Sequence, residues 1–140
     1  MNARARGFSL IELVVTMGII ALLAAIAYPS YINYTRRGYR TDATRNLMQM
    51  AQALERCYTQ GFTYIGCAAV PAGTANTPQK YYKITVATPS ASQYTLTAVP
   101  NGEPQIGDLP CQTFTLTSAG VQTALDSTGA DDTGRCWGTQ

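Results

Sequence analysis

A chain of 140 residues with a formal charge of +2 and no histidine has room for one small core and cannot supply a histidine-dependent triad or a histidine-ligated hydrolase site. It carries no G-x-x-x-x-G-K phosphate loop and no C-x-x-C pair, which leaves nucleotide hydrolysis and thiol redox chemistry without their usual residues. The chain reads as a non-enzyme needing no cofactor and no metal.

The first element is the segment GFSLIELVVTMGIIALLAAIAYPSY, residues 7–31. At ~1.5 Å per residue, the run from Phe8 to Tyr28 covers about 31 Å, close to the ~30 Å hydrocarbon core of a bilayer. Nothing later in the chain matches its apolarity. Three fates compete for it. Arg4 and Arg6 with the run from Leu13 to Leu23 and the Ala25-Ile26-Ala27 triplet could form an ordinary cleaved signal peptide. It could instead be an uncleaved anchor. The third fate turns on Gly7, Phe8 and Glu12, because a carboxylate within a membrane helix carries a cost of about 2.5 to 3.5 kcal/mol that neither of the other two fates uses.

The pattern RARGFSLIEL, then an apolar span, then AIAYPSYINY, resembles the N-terminus of type IV prepilins. The resemblance implies that residues 1–7 are a leader cleaved after Gly7, and that Phe8 becomes an N-methylated new N-terminus, both by the prepilin peptidase. It also implies that Glu12 and Pro29 serve assembly. On this reading the new amine lies one helical turn before Glu12, where the helix dipole also favours an acid. Within one chain this amine could pair with Glu12; in a fibre a neighbouring subunit's amine offers the better geometry, and the buried pair sets register.

Pro29 has no N–H for the Ala25 carbonyl, so the helix is expected to kink or loosen there without stopping. Beyond it Ala43, Leu47, Ala51, Leu54 and Tyr58 recur at helical spacing, and Gly61 is an end signal. The expected divisions are a leader at 1–7, a long helix at 8–59 whose 8–28 part is membrane or fibre core, and a loop-plus-sheet head at 60–140. Arg36, Arg37 and Arg40 follow the span and read as a basic band facing phospholipid headgroups or acidic neighbours. Charge counting therefore does not settle topology. Cys57, Cys67, Cys111 and Cys136, an even set in a small domain, place the head outside the cytoplasm. Their spacing does not suit zinc. Three pairings are open; Cys57 with Cys67 and Cys111 with Cys136 is favoured, closing a loop past the helix and tying RCWGTQ back to a strand.

In KYYKITVA, residues 80–87, Tyr82, Ile84 and Val86 share a face, and in QYTLTAV, residues 93–99, Tyr94, Leu96 and Ala98 do the same, with a turn over Pro89 to Ser92. TFTLTSAGVQTA adds a third strand with Phe114 and Leu116, a turn at Ser118 to Gly120, and a short fourth strand. AAVPAGTANTP reads as a surface loop. The fold class is α+β: a long kinked N-terminal helix packed on a roughly four-stranded antiparallel sheet, with a disulfide-closed C-terminal region. ERCYTQGFTYIGC, CQTFTLTSAGVQTA and RCW extend the resemblance to type IVa pilins, and within them to minor pilins of the PilE type.

The resemblance implies a structural pilus subunit, minor rather than major, serving adhesion, twitching motility or DNA uptake. Its partners are then other pilin subunits, the prepilin peptidase and N-methyltransferase, and the inner-membrane assembly platform. It starts as a single-pass inner-membrane protein with a periplasmic head and ends in a surface fibre. A DNA receptor is an alternative, with Lys80 and Lys83 as contacts, but few basic residues against several acids in the C-terminal part weigh against nucleic acid as a partner. A type II secretion pseudopilin is a second alternative, for which Asp126, Asp131 and Asp132 would form a calcium loop. They read better as turn formers. A secreted or membrane-anchored β-rich binding module is the third.

Overall fold

A computed structural model describes residues 8–138, which fall into two compact units, one through Tyr34 and one from Thr35 onward. A single helix, α1 (Leu10–Gly61), supplies all the helix of the first unit and enters the second. It runs through Pro29 without stopping. Within the first unit Leu10, Ile11, Ile20, Leu22 and Ile26 are all exposed. An apolar surface of this kind, on a stretch long enough to cross a bilayer, needs lipid or other helices to cover it.

In the second unit α1 turns Ala43, Leu47, Ala53 and Leu54 inward. They join one core with residues from an antiparallel sheet of β1 (Gly73–Asn76), β2 (Tyr82–Ser90), β3 (Gln93–Pro100), β4 (Thr113–Thr117) and β5 (Gln122–Leu125), arranged in sequence order. Alternation decides the faces. Tyr82, Ile84, Tyr94, Leu96, Ala98, Phe114, Leu116 and Ala124 are buried against the helix. On the other face Thr74, Thr85, Thr97, Thr115 and Thr123 stand in one cross-strand row. Threonine suits that position, being β-branched for the strand and polar for solvent.

The sheet has five strands where roughly four were expected. The additional one, β1, comes from the stretch read as a loop. An edge strand pairs through its backbone and needs no apolar pattern; Thr74 and Thr85 add a hydroxyl contact of 3.0 Å. The β2–β3 turn is tighter than the expected Pro89 to Ser92, since Ser90 pairs with Gln93. Pro89 stays in the strand because the register shifts between Ala87 and Ser90, where a residue without an N–H costs no ladder bond. A short helix, α2 (Thr133–Trp137), closes the chain on β5 and ends at Gly138, whose φ of 72° is left-handed. Cys57 is bonded to Cys67, and Cys111 to Cys136. The second bond ties α2, rather than a bare terminal segment, to the start of β4.

Candidate functional site

At the N-terminal end, Gly7 lies outside the described residues. Phe8 is exposed, and the Ser9 N–H just before α1 donates to Glu12 Oε2 at 3.0 Å. This is half of a capping box, in which an acid three residues into the helix satisfies a backbone donor that the helix cannot. The carboxylate thus has a partner within its own chain. The Ser-x-x-Glu spacing is the signal for it, and a reading of Glu12 through the Phe8 amine and the helix dipole passes over the Ser9 N–H.

The band of three arginines is not a band. Arg40 is buried and makes a two-pronged pair with Asp108, Nε to Oδ2 at 2.7 Å and Nη2 to Oδ1 at 2.8 Å. The hydrogen bond to Asp108 holds the Arg40 guanidinium charged, its pKa raised above the usual arginine value against the opposing effect of burial. Arg36 donates from Nε to the Pro104 carbonyl at 2.9 Å, and its guanidinium lies over Gly107, where an added Cβ would collide with Nη2. Sequence proximity to the membrane segment suggested headgroup contact. Helical periodicity instead aims Arg36 and Arg40 at the head, since they continue the packed stripe of Ala43 and Leu47 backward at steps of three and four. Arg37 alone of the three remains exposed.

Arg37 opens on a cleft of about 450 Å³ that is also lined by Thr41, Thr44, Arg135 and Trp137. Arg135 is largely exposed and pairs with Asp132 at 3.2 Å. Trp137 is held by its Nε1–H to the Thr123 carbonyl at 2.9 Å and by an edge contact on Phe114. Thr41 and Arg45 also border a smaller hollow of about 260 Å³, with Asp42, Pro78 and Gln79. Arg37, Thr41 and Arg45 are spaced at four residues, so they share one exposed helical stripe. Arg37 thus meets Arg135 in the first cleft and shares its helical stripe with Arg45, which borders the second.

Of the two lysines named from sequence, Lys80 is exposed in the β1–β2 turn with φ 63°, and Lys83 lies exposed on the outer face of β2. Tyr82 is buried, as its alternation implied, and accepts a hydrogen bond from Gln105 at 2.6 Å. Tyr81 stacks on Tyr39 at 4.1 Å. The acids of the C-terminal loop are engaged separately. Asp126 Oδ1 accepts from Thr128 and Ala130, contacts that hold its pKa below the usual carboxylate value, while Asp131 accepts from Thr133 and Asp132 faces Arg135.

Comparison with known proteins matches residues 29–115 to a family model described as type IV minor pilin ComP, DNA uptake sequence receptor, and residues 2–28 to the prokaryotic N-terminal methylation motif. Similar curated proteins include prepilin peptidase-dependent protein D of Escherichia coli (strain K12), 48% identical over 37% of this chain and 36% of its own length. The type IV major fimbrial protein FimA of Dichelobacter nodosus is 41% identical over 44% of this chain and 39% of its own. The type IV major pilin protein PilE1 of Neisseria gonorrhoeae is 44% identical over 31% of this chain and 26% of its own. The match thus spans well under half the length of these curated relatives.

Proposed function

We propose that this chain, which belongs to the type IV minor pilin family described as ComP, DNA uptake sequence receptor, is a fibre subunit whose head carries a DNA-binding surface. One observation carries the reading: a match to the N-terminal methylation motif over residues 2–28 is followed in the same chain by a match to a DNA-receptor family over residues 29–115. Cleavage after Gly7 frees the Phe8 amine, the span leaves the bilayer for a fibre core, and Glu12 exchanges its contact with Ser9 for a neighbour's amine. Exchanging lipid for helix contacts has little hydrophobic driving force. An assembly platform and an energy source are therefore partners on this reading, together with the prepilin peptidase and other pilins. The head faces the periplasm before assembly and the medium afterwards.

The balance of acids and bases weighed against DNA in the sequence, and the fold changes that weighting. Asp108, one of the acids of the C-terminal part, is paired with the buried Arg40. Arg37, Arg45 and Lys80 meanwhile stand on the surface. A stripe of exposed cations beside a tryptophan has the chemistry for phosphates and bases.

The test has two arms. The intact mass and N-terminal sequence are measured for the protein from envelopes and from sheared fibres; a start at methylated Phe8 in fibres is expected, and a start at Tyr28 overturns the pilin reading. The purified full chain in detergent is then mixed with duplex DNA at two salt concentrations. Retardation at low salt that weakens at higher salt is expected, and none at low salt removes DNA from the proposal.

A further inference from the structure

Before any fibre forms, the span of this chain has a bilayer as its surround, and the start of the second unit follows that span within a few turns of the same helix. Tyr28, Tyr31 and Tyr34 succeed the apolar run of α1 and are 70%, 65% and 76% exposed. Tyrosines at the end of a membrane segment sit at headgroup level, with the ring toward the chains and the hydroxyl in water. Arg37 comes three residues after Tyr34, about 4.5 Å of helix at ~1.5 Å per residue. Side chains of a helix lean toward its N-terminus, so the stem of Arg37 leans back toward the span, and an arginine carries its charge well away from its backbone.

The cleft that Arg37 opens on has a lining that suits an anion. Arg37 and Arg135 border it with Thr41, Thr44 and Trp137, and no aspartate or glutamate does. Among the described residues no acid pairs with Arg37, and Arg135 has only its exposed contact with Asp132. The two walls are fixed to each other. Arg40, held by Asp108, donates from Nη1 to the Arg135 carbonyl at 3.4 Å, which ties the backbone carrying Arg135 and Trp137 to the helix carrying Arg37. A guanidinium takes a phosphate two-pronged, and here two of them from distant parts of the sequence border one hollow of about 450 Å³.

We propose that, while the chain is in the bilayer, this cleft holds the headgroup of an anionic phospholipid, its phosphate between Arg37 and Arg135 and beside Trp137. Place and charge select the occupant. The tyrosines set the headgroup layer within reach of Arg37, and arginines next to a membrane segment are drawn to anionic lipid. A zwitterionic headgroup brings an ammonium toward two arginines and fits less well. The cleft also borders the DNA surface proposed above, and it does not hold a lipid phosphate and a DNA phosphate at once. Lipid therefore masks part of that surface until the span leaves the bilayer for a fibre. The masking rests on the DNA reading; the lipid site rests on the span and the cleft alone.

Trp137 is the single tryptophan, so its fluorescence reports on the cleft directly. The full chain is placed in lipid nanodiscs of phosphatidylcholine alone or of phosphatidylcholine mixed with phosphatidylglycerol. With phosphatidylglycerol the emission is expected to shift to shorter wavelength and to lose part of its quenching by acrylamide. Arg37→Gln with Arg135→Gln is expected to abolish that difference, and Arg56→Gln, at an exposed arginine outside the cleft, to keep it. Identical fluorescence in the two discs overturns the inference, and so does a difference that the double variant retains. Inorganic phosphate that reproduces the shift in phosphatidylcholine discs overturns lipid as the occupant. Masking is read by adding short-chain phosphatidylglycerol, below its micelle concentration, to the chain in phosphatidylcholine discs with duplex DNA bound. Retention of DNA is expected to fall several-fold, and unchanged retention overturns the masking. A chain that retains no duplex before the lipid is added fails the DNA reading and the masking with it, and the fluorescence alone then decides the lipid site.

Discussion

Arg40 and Asp108 show how much one buried pair can hold. The two side chains are 9% and 4% exposed, and Asp108 belongs to a segment that reaches the helix through few other side chains, chiefly Arg36 and Gln105. Removing one partner of such a pair strands a charge, which costs about 3 to 5 kcal/mol, whereas an apolar replacement of both is often tolerated. Asp108→Ala is therefore expected to lower the unfolding free energy in urea by about 3 kcal/mol or more, and Arg40→Met with Asp108→Leu to recover most of that loss. Tyr82 sets a pH limit. Burial is the main cause that pushes its phenol up to about 12. In the unfolded chain a tyrosine ionises near 10. The stabilisation is thus complete below pH ~10 and lost as pH rises toward 12, because over that window the unfolded state binds fewer protons. Stability measured from pH 8 to 12 is expected to fall along this limb, and Tyr82→Phe to make it shallower without abolishing it, since burial also raises the phenol of Tyr94.

At the scale of elements, the closing helix depends on its disulfide. α2 has five residues, one of them Gly134, far short of what a helix needs to persist alone. The Cys111–Cys136 bond closes a loop of 25 residues, a constraint on the unfolded chain of about 3 kcal/mol. Cys111→Ala with Cys136→Ala is expected to lower stability by about that amount. It should also loosen Trp137 from Thr123, read as a red shift and faster quenching of the fluorescence of the single tryptophan. The strands behaved differently from α2. β2, β3 and β4 were legible because every second residue is apolar. β1 was not, because at an edge the backbone does the pairing and the side chains carry no alternating signal. α2 gave no helical period to read, and it is held by the bond to Cys111 together with the contacts of Thr133 and Trp137 on β5.

For the whole molecule, assembly and DNA binding are separable. Glu12→Ala is expected to leave the chain membrane-inserted and cleaved but missing from sheared fibres, since the register-setting carboxylate is gone; normal fibre levels would refute that role for Glu12. Substituting Arg37, Arg45 and Arg135 together by alanine is expected to leave fibre levels unchanged. Retention of duplex DNA should then weaken, and its dependence on the logarithm of salt should become shallower by roughly one unit for each lost phosphate contact. A variant that binds DNA as tightly as the parent, with the same salt slope, would move the DNA surface elsewhere on the head.

The local pattern of residues was sufficient for the N-terminal span, the processing motif, the amphipathic stripe from Ala43 to Leu54 and the three central strands, because each depends on neighbours within a few positions. The direction of Arg36 and Arg40, the extra strand, the closing helix and the meeting of Arg37 with Arg135 in one cleft depended on contacts between residues far apart in sequence. Arg40 meets Asp108 across 68 positions, and Arg37 shares its cleft with Arg135 only because the chain has returned to the helix through five strands and a disulfide. Composition could count the charges of the head. Only folding, by burying some against each other and leaving others in solvent, decided which of them a partner meets.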